Sequence, residues 1–123
     1  MNEIDYENHG HHIKVSPLKG VIKVTLDGST LAESRNALEL KEDGYDKAYY
    51  IPLEDIRAEL IRAETKTVCH YKGRASYYSL KINNIIIEDA LWQYADPKPE
   101  FIELNNYASF YIKNIDGIKI NIT

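Results

Sequence analysis

The chain is punctuated by turn dipeptides set between short runs in which apolar and polar residues alternate. In Val21–Leu26, Ile22, Val24 and Leu26 alternate with Lys23 and Thr25, and Asp27-Gly28 separates this run from Thr30–Glu33. Asp-Gly between alternating runs is a strong local signal for a β-hairpin, because both residues tolerate the positive φ of the tight turn. Leu38–Lys41 reads as a further strand, ending before Asp43-Gly44, and Glu42 follows it. Ala48–Ile51 is a short strand stopped by Pro52. Lys66–His70 is another, with a turn at Lys72-Gly73. Ser76–Ile82 and Ile85–Trp92 flank Asn83-Asn84, and Tyr107–Lys113 is expected to pair with Ile118–Ile122 around Asp116-Gly117. A helix is expected at about 53–62, where Leu53, Ile56, Leu60 and Ile61 recur at helical spacing behind Pro52, with Glu54 and Asp55 in the first turn. A short helical turn is expected within Glu100–Asn105. Roughly nine short strands and one or two short helices predict a mainly β, compact antiparallel fold.

With 123 residues, the chain has the length of one domain, 1–123, and its polar first eleven residues are expected to be flexible. Its formal net charge of −4 argues against a nucleic-acid partner, since duplex binding needs broad positive surface. The lone cysteine, Cys69, excludes an intrachain disulfide and the usual cysteine-rich zinc sites. Met1–Asp5 is acidic and lacks the apolar stretch of a signal peptide, and Ile85–Ile87 is far too short to span a bilayer. These features predict a soluble, cytoplasmic chain without a membrane partner. Ten tyrosines against two phenylalanines and one tryptophan suit strands covered on one face, or a pocket wall.

Charge is uneven. Lys66–Lys81 holds Lys66, Lys72, Arg74 and Lys81 but no acid, together with Cys69, His70, Tyr71, Tyr77 and Tyr78. A cationic turn beside tyrosine rings suits an anionic or planar small ligand, while the plainer role for these cations is pairing with the acid-rich flanks. His70, Lys72 and Arg74 could activate the Cys69 thiol. In a strand, however, residues 69 and 70 face opposite ways, which favours a buried, inert cysteine. His9, His11 and His12 form a cluster on the N-terminal segment, and no metal site is expected there. Trp92 and Tyr94, two residues apart on a strand, share one face and could stack over a ligand or close the core.

Three stretches together resemble the small bacterial family catalogued as domain of unknown function 427. They are Cys69-His70-Tyr71-Lys72-Gly73, Tyr50-Ile51-Pro52-Leu53-Glu54-Asp55, and Ala90-Leu91-Trp92-Gln93-Tyr94-Ala95-Asp96-Pro97, with Ala32-Glu33-Ser34 before and Phe110-Tyr111 after. The resemblance covers about residues 20–112 and implies a compact β-tent-like fold with a short helix. Family members often carry Pro where this chain has His70. The family sometimes bears a nucleotidyltransferase label. Such transferases place Gly-Ser before two metal-binding aspartates, whereas Gly28-Ser29 is followed here by Thr30-Leu31-Ala32-Glu33.

The leading expectation is a small-molecule-binding domain without a cofactor. Trp92 and Tyr94 would floor the pocket and Tyr50 and Tyr77 would wall it, beside Cys69. Lys72 and Arg74 would supply positive charge, and Glu42 a counter-charge. One alternative is an enzyme acting on an anionic substrate through Lys72, Cys69 or Glu42. Another is a protein-interaction module, such as a homodimer joined through strand edges.

Overall fold

The computed structural model describes residues 3–123. Eleven strands form two antiparallel sheets: β1 (Ile4–Asn8), β2 (His11–Pro17), β3 (Ile22–Leu26), β4 (Ser29–Ser34), β5 (Leu38–Glu42), β6 (Ala48–Pro52), β7 (Glu59–Cys69), β8 (Gly73–Ile82), β9 (Ile85–Pro97), β10 (Tyr107–Phe110) and β11 (Ile118–Ile122). The larger sheet has the order β1-β2-β5-β6-β10-β9-β8-β7, and the smaller is β11-β3-β4. The chain is mainly β, as its alternation predicts.

The turn dipeptides behave as the sequence requires. Asp27 and Gly28 have φ of 49° and 83°, and Asn83 and Asn84 have 50° and 65°, so both tight hairpins turn through left-handed residues. Two cores lie on opposite faces of the larger sheet. Tyr50 and Ile51, neighbours on β6, point to different cores because a strand alternates its sides. The first core packs Ile22, Val24 and Leu31 of the small sheet against Ile51, Leu80, Leu91 and Phe110. The second gathers Ile13, Val15, Leu38 and Leu40 from one half of the large sheet with Ala75 and Tyr94 from the other. Phe101 and Leu104, on a 3-10 segment over Pro99–Asn106, complete it.

Two expectations are corrected. The helix over 53–62 is only a 3-10 turn at Leu53–Asp55, and β7 begins at Glu59. The Arg57 and Ala58 amides both donate to the Leu31 carbonyl of β4, so the donors a helix would use internally are taken by a neighbouring strand. Asp55 accepts a 2.6 Å hydrogen bond from Ser34 rather than serving a helix start. Beyond it, Ile61, Thr65, Thr67 and Val68 are β-branched residues, which favour the strand that forms. Secondly, Tyr107–Phe110 and Ile118–Ile122 do not pair. β10 lies between β6 and β9, and β11 pairs with β3. Ile115, buried in the first core, anchors the crossing between the sheets. Of the first eleven residues, 1 and 2 lie outside the described residues, and Ile4–Asn8 pairs with β2 in register. Its half-buried Ile4 and Tyr6 pack on the second core, and Tyr6 meets Phe101 edge-on at 5.1 Å.

Candidate functional site

The site is organised by the turn from β7 to β8. Gly73 has φ of 118°, and a Cβ there would lie 2.5 Å from the Asp96 carbonyl and 2.8 Å from Pro97 Cα. Only glycine lets this turn approach the end of β9 so closely. The Lys98 amide donates to the Lys72 carbonyl at 2.8 Å, and the Lys98 ammonium to the His70 carbonyl. The turn is thereby pinned, and the Lys72 side chain is held inward.

There Lys72 meets Glu42, the last residue of β5. Its ammonium donates to Glu42 Oε1, with both side chains almost wholly buried, at 7% and 6% exposure. Glu42 Oε2 lies 2.9 Å from His11 Nε2. The His11 ring stacks on Tyr71, with centroids 4.2 Å apart and planes 17° from parallel. The Lys72 ammonium also lies 5.7 Å from the Tyr94 ring centroid, within cation–π range. A buried ion pair thus ties three distant segments together: the start of β2, the end of β5 and the β7–β8 turn.

The pair forms part of the wall of a cavity of about 590 Å³. Seven of the eight sequence-predicted site residues line it: Glu42, Tyr50, Cys69, Lys72, Tyr77, Trp92 and Tyr94. Trp92 Nε1 donates to the Tyr50 hydroxyl at 2.9 Å, and Tyr50 stands between Trp92 and Tyr94, with ring centroids 6.1 and 6.4 Å away. Trp92 and Tyr94 therefore share a face but are bridged by Tyr50 rather than stacked as a pair. Tyr77 shares a 3.1 Å hydrogen bond with Thr67. Burial pushes the Tyr50 and Tyr94 phenols well above the usual tyrosine range, so both remain neutral donors near neutral pH.

Arg74 does not join this group. It is exposed and absent from the cavity wall, because Ala75 and Tyr77 take the inward face of β8 and Arg74 the other. Of the four cations in Lys66–Lys81, only Lys72 reaches the cavity, and Lys81 lies 3.9 Å from Glu59 instead. Cys69, expected to be buried, is half-buried at the cavity wall. The histidine cluster separates: His11 backs Glu42 from behind the wall, and His12 faces Asp43 on the opposite side of β2. The His12 amide holds the Asp43 carboxyl below the usual carboxylate range.

Residues missed from the sequence are Tyr71, Ser109, Tyr111 and His11. The first three line the cavity. His11 alternates with Ile13 and Val15 on the inward face of β2, a pattern visible in the sequence. Gly28-Ser29 sits at the β3–β4 turn, away from this cavity. Among the described residues, no group of three His, Cys, Asp or Glu side chains is placed to hold a metal ion. No helix among them is long and apolar enough to cross a membrane.

The family described as Domain of unknown function (DUF427), which carries the short name NTP_transf_9, matches residues 14–121. No curated protein matches the chain.

Proposed function

The chain belongs to the DUF427 family, and from that premise we propose that it binds a small planar ligand in the cavity walled by Tyr50, Tyr77, Trp92 and Tyr94. The observation that carries this reading is the buried Lys72–Glu42 pair in the wall of an aromatic cavity. Burying an ion pair is rarely worth its desolvation, and apolar residues of similar volume often stabilise a fold as well or better. A cavity of about 590 Å³ is also a cost to a chain of 123 residues, yet it lies within the usual size of small-molecule sites. Tyrosine and tryptophan faces supply stacking, while the Tyr50 hydroxyl and the Lys72–Glu42 pair supply donors and acceptors. Glu42 neutralises Lys72, and the other lining charges, Asp46, Lys47 and Lys113, are exposed, so the buried part of the wall carries no surplus positive charge and an uncharged ring suits it better than an anion.

A thermal-shift comparison tests this. Planar heterocycles such as purine bases and hydroxybenzenes are set against nucleoside phosphates, with wild type and Tyr77→Ala side by side. At a hundred times its dissociation constant, a ligand adds about 2.7 kcal/mol. With an unfolding entropy of about 0.26 kcal/mol/K for this length, that is a rise of about 10 °C in Tm. The expected result is a shift with the uncharged rings, not improved by phosphate and reduced in Tyr77→Ala. Flat melting curves with every compound, or shifts indifferent to Tyr77, would refute the reading.

A second reading is an enzyme using Lys72, Cys69 or Glu42, favoured by the position of all three on one cavity. Conversion of a bound compound, lost in Cys69→Ser or Glu42→Gln, would establish it. Pairing of two copies through the β7 edge is disfavoured, since exposed Arg62, Glu64 and Lys66 on that strand oppose edge-to-edge association.

A further inference from the structure

We propose that the ligand is an amphiphile, with a planar polar head among the aromatic walls and an aliphatic chain leaving over Val68 and Ile112. This rests on the pocket reading above and adds the chemical class of what fills it. Three observations carry it.

The first is size. A cavity of ~150 Å³ is enough for a single benzene ring, and this one, at about 590 Å³, is roughly four times larger. One ring among Tyr50, Tyr77 and Trp92 leaves most of the volume to something else.

The second is the lining. Away from the Lys72–Glu42 pair the walls include Leu40, Ala48, Ala75 and Phe110, which offer water no hydrogen bonds and suit hydrocarbon.

The third is the mouth. Among the described residues, nine large apolar side chains are exposed, and four of them border this cavity: Tyr45, Val68, Tyr111 and Ile112. Val68 is 66% exposed and Ile112 is 52% exposed. Isolated exposed apolar residues need no explanation, but here four line one cavity, interspersed with exposed Asp46, Lys47, Thr67, His70 and Lys113, and Val68 and Ile112 are the purely aliphatic ones among them. A polar group fixed in the buried wall and exposed aliphatic side chains at Val68 and Ile112 match a molecule with one hydrogen-bonding end and one hydrocarbon end.

The test uses a homologous series, the methyl, butyl and hexyl esters of 4-hydroxybenzoic acid. The head is constant and only the chain grows. Trp92, the chain's single tryptophan, lines the cavity, so its fluorescence reports occupancy directly. Each methylene removed from water is expected to tighten binding by about fourfold, the fold-change equivalent to about 0.8 kcal/mol. The methyl and butyl esters should therefore differ by up to about sixty-fold if all three added methylenes are covered. The Val68→Ser/Ile112→Ser double variant changes only exposed side chains and should fold normally. In it the methyl ester should bind as to wild type, while the dependence on chain length flattens.

Two results overturn the amphiphile alone: methyl and hexyl esters binding equally well to wild type, or an undiminished chain dependence in the double variant. The second would assign Val68 and Ile112 to something other than the ligand, a protein partner included. If no ester binds at all, both the amphiphile and the pocket reading beneath it fall.

Discussion

Replacing Lys72 by methionine removes an ammonium that faces Glu42 with both groups shielded from water. Breaking a buried pair from one side typically costs about 3–5 kcal/mol, because the partner is left charged in a poorly solvating environment. Glu42 keeps His11 at 2.9 Å, a neighbour that can compensate in part, so the lower end of that range is expected. At about 0.26 kcal/mol/K of unfolding entropy for 123 residues, 3 kcal/mol is a fall of about 12 °C in Tm. Glu42→Met alone should cost a similar amount by stranding the ammonium. The double variant Lys72→Met/Glu42→Met should recover to within about 1 kcal/mol of wild type, since two apolar side chains can pack where a charge pair stood. Denaturant titration of the four proteins completes a double-mutant cycle with a coupling of about 5 kcal/mol. Single variants that each cost less than about 1 kcal/mol would mean that the pair is solvated like a surface one, and the argument from burial would be wrong. A double variant that is stable but no longer binds would show that the charges serve recognition rather than folding.

Gly73→Ala should destabilise by well over the ~1 kcal/mol of an ordinary glycine replacement, because its Cβ would collide with backbone at Asp96 and Pro97 that cannot swing aside. It should also weaken binding, since the same turn carries Lys72; melting curves with and without a bound ester measure both effects. At alkaline pH the buried phenols of Tyr50 and Tyr94 should make the fold fragile. Their folded-state pKa values are raised by burial, so the unfolded chain releases these protons first. Their contribution is intact below the ordinary tyrosine pKa of about 10 and is lost as pH rises above it, at up to about 1.4 kcal/mol per pH unit for each group. Tm followed from pH 9 to 12, beside absorbance at 295 nm, should show unfolding and tyrosinate formation together. Smooth ionisation of all ten tyrosines in a still-folded protein would contradict it.

The sequence is most readable where a few adjacent residues decide the backbone. Asp27-Gly28 and Asn83-Asn84 announce their hairpins because the turn demands residues that tolerate positive φ. The outward position of Arg74 is equally legible, since alternation from Tyr77 puts it on the opposite face of β8. The helix spacing of Leu53, Ile56 and Leu60 misleads because the Leu31 carbonyl, more than twenty residues earlier, takes the donors that would have closed the helix. The site shows the same division. Lys72, Glu42 and the aromatics stand out by type, but the union of Lys72 with Glu42 crosses 30 residues and depends on how β5 and the β7–β8 turn meet. No local signal encodes that meeting, nor the part His11 plays behind it.

The strand β10 has only four residues, and it divides them between its neighbours. Tyr107 and Ala108 pair with β6, while Ser109 and Phe110 pair with β9. Until those residues leave the ribosome, the large sheet exists at most as two separate meanders, β1-β2-β5-β6 and β9-β8-β7, each without its partner across the second core. The smaller sheet waits longer still for β11, which reaches back from residues 118–122 to residues 22–26. Translation therefore delivers the joints after the parts they join. A nascent chain stalled before residue 107 would present open strand edges and an uncovered aromatic face, a state suited to chaperones rather than to ligands. The cavity becomes a cavity only when this late, short strand is laid down.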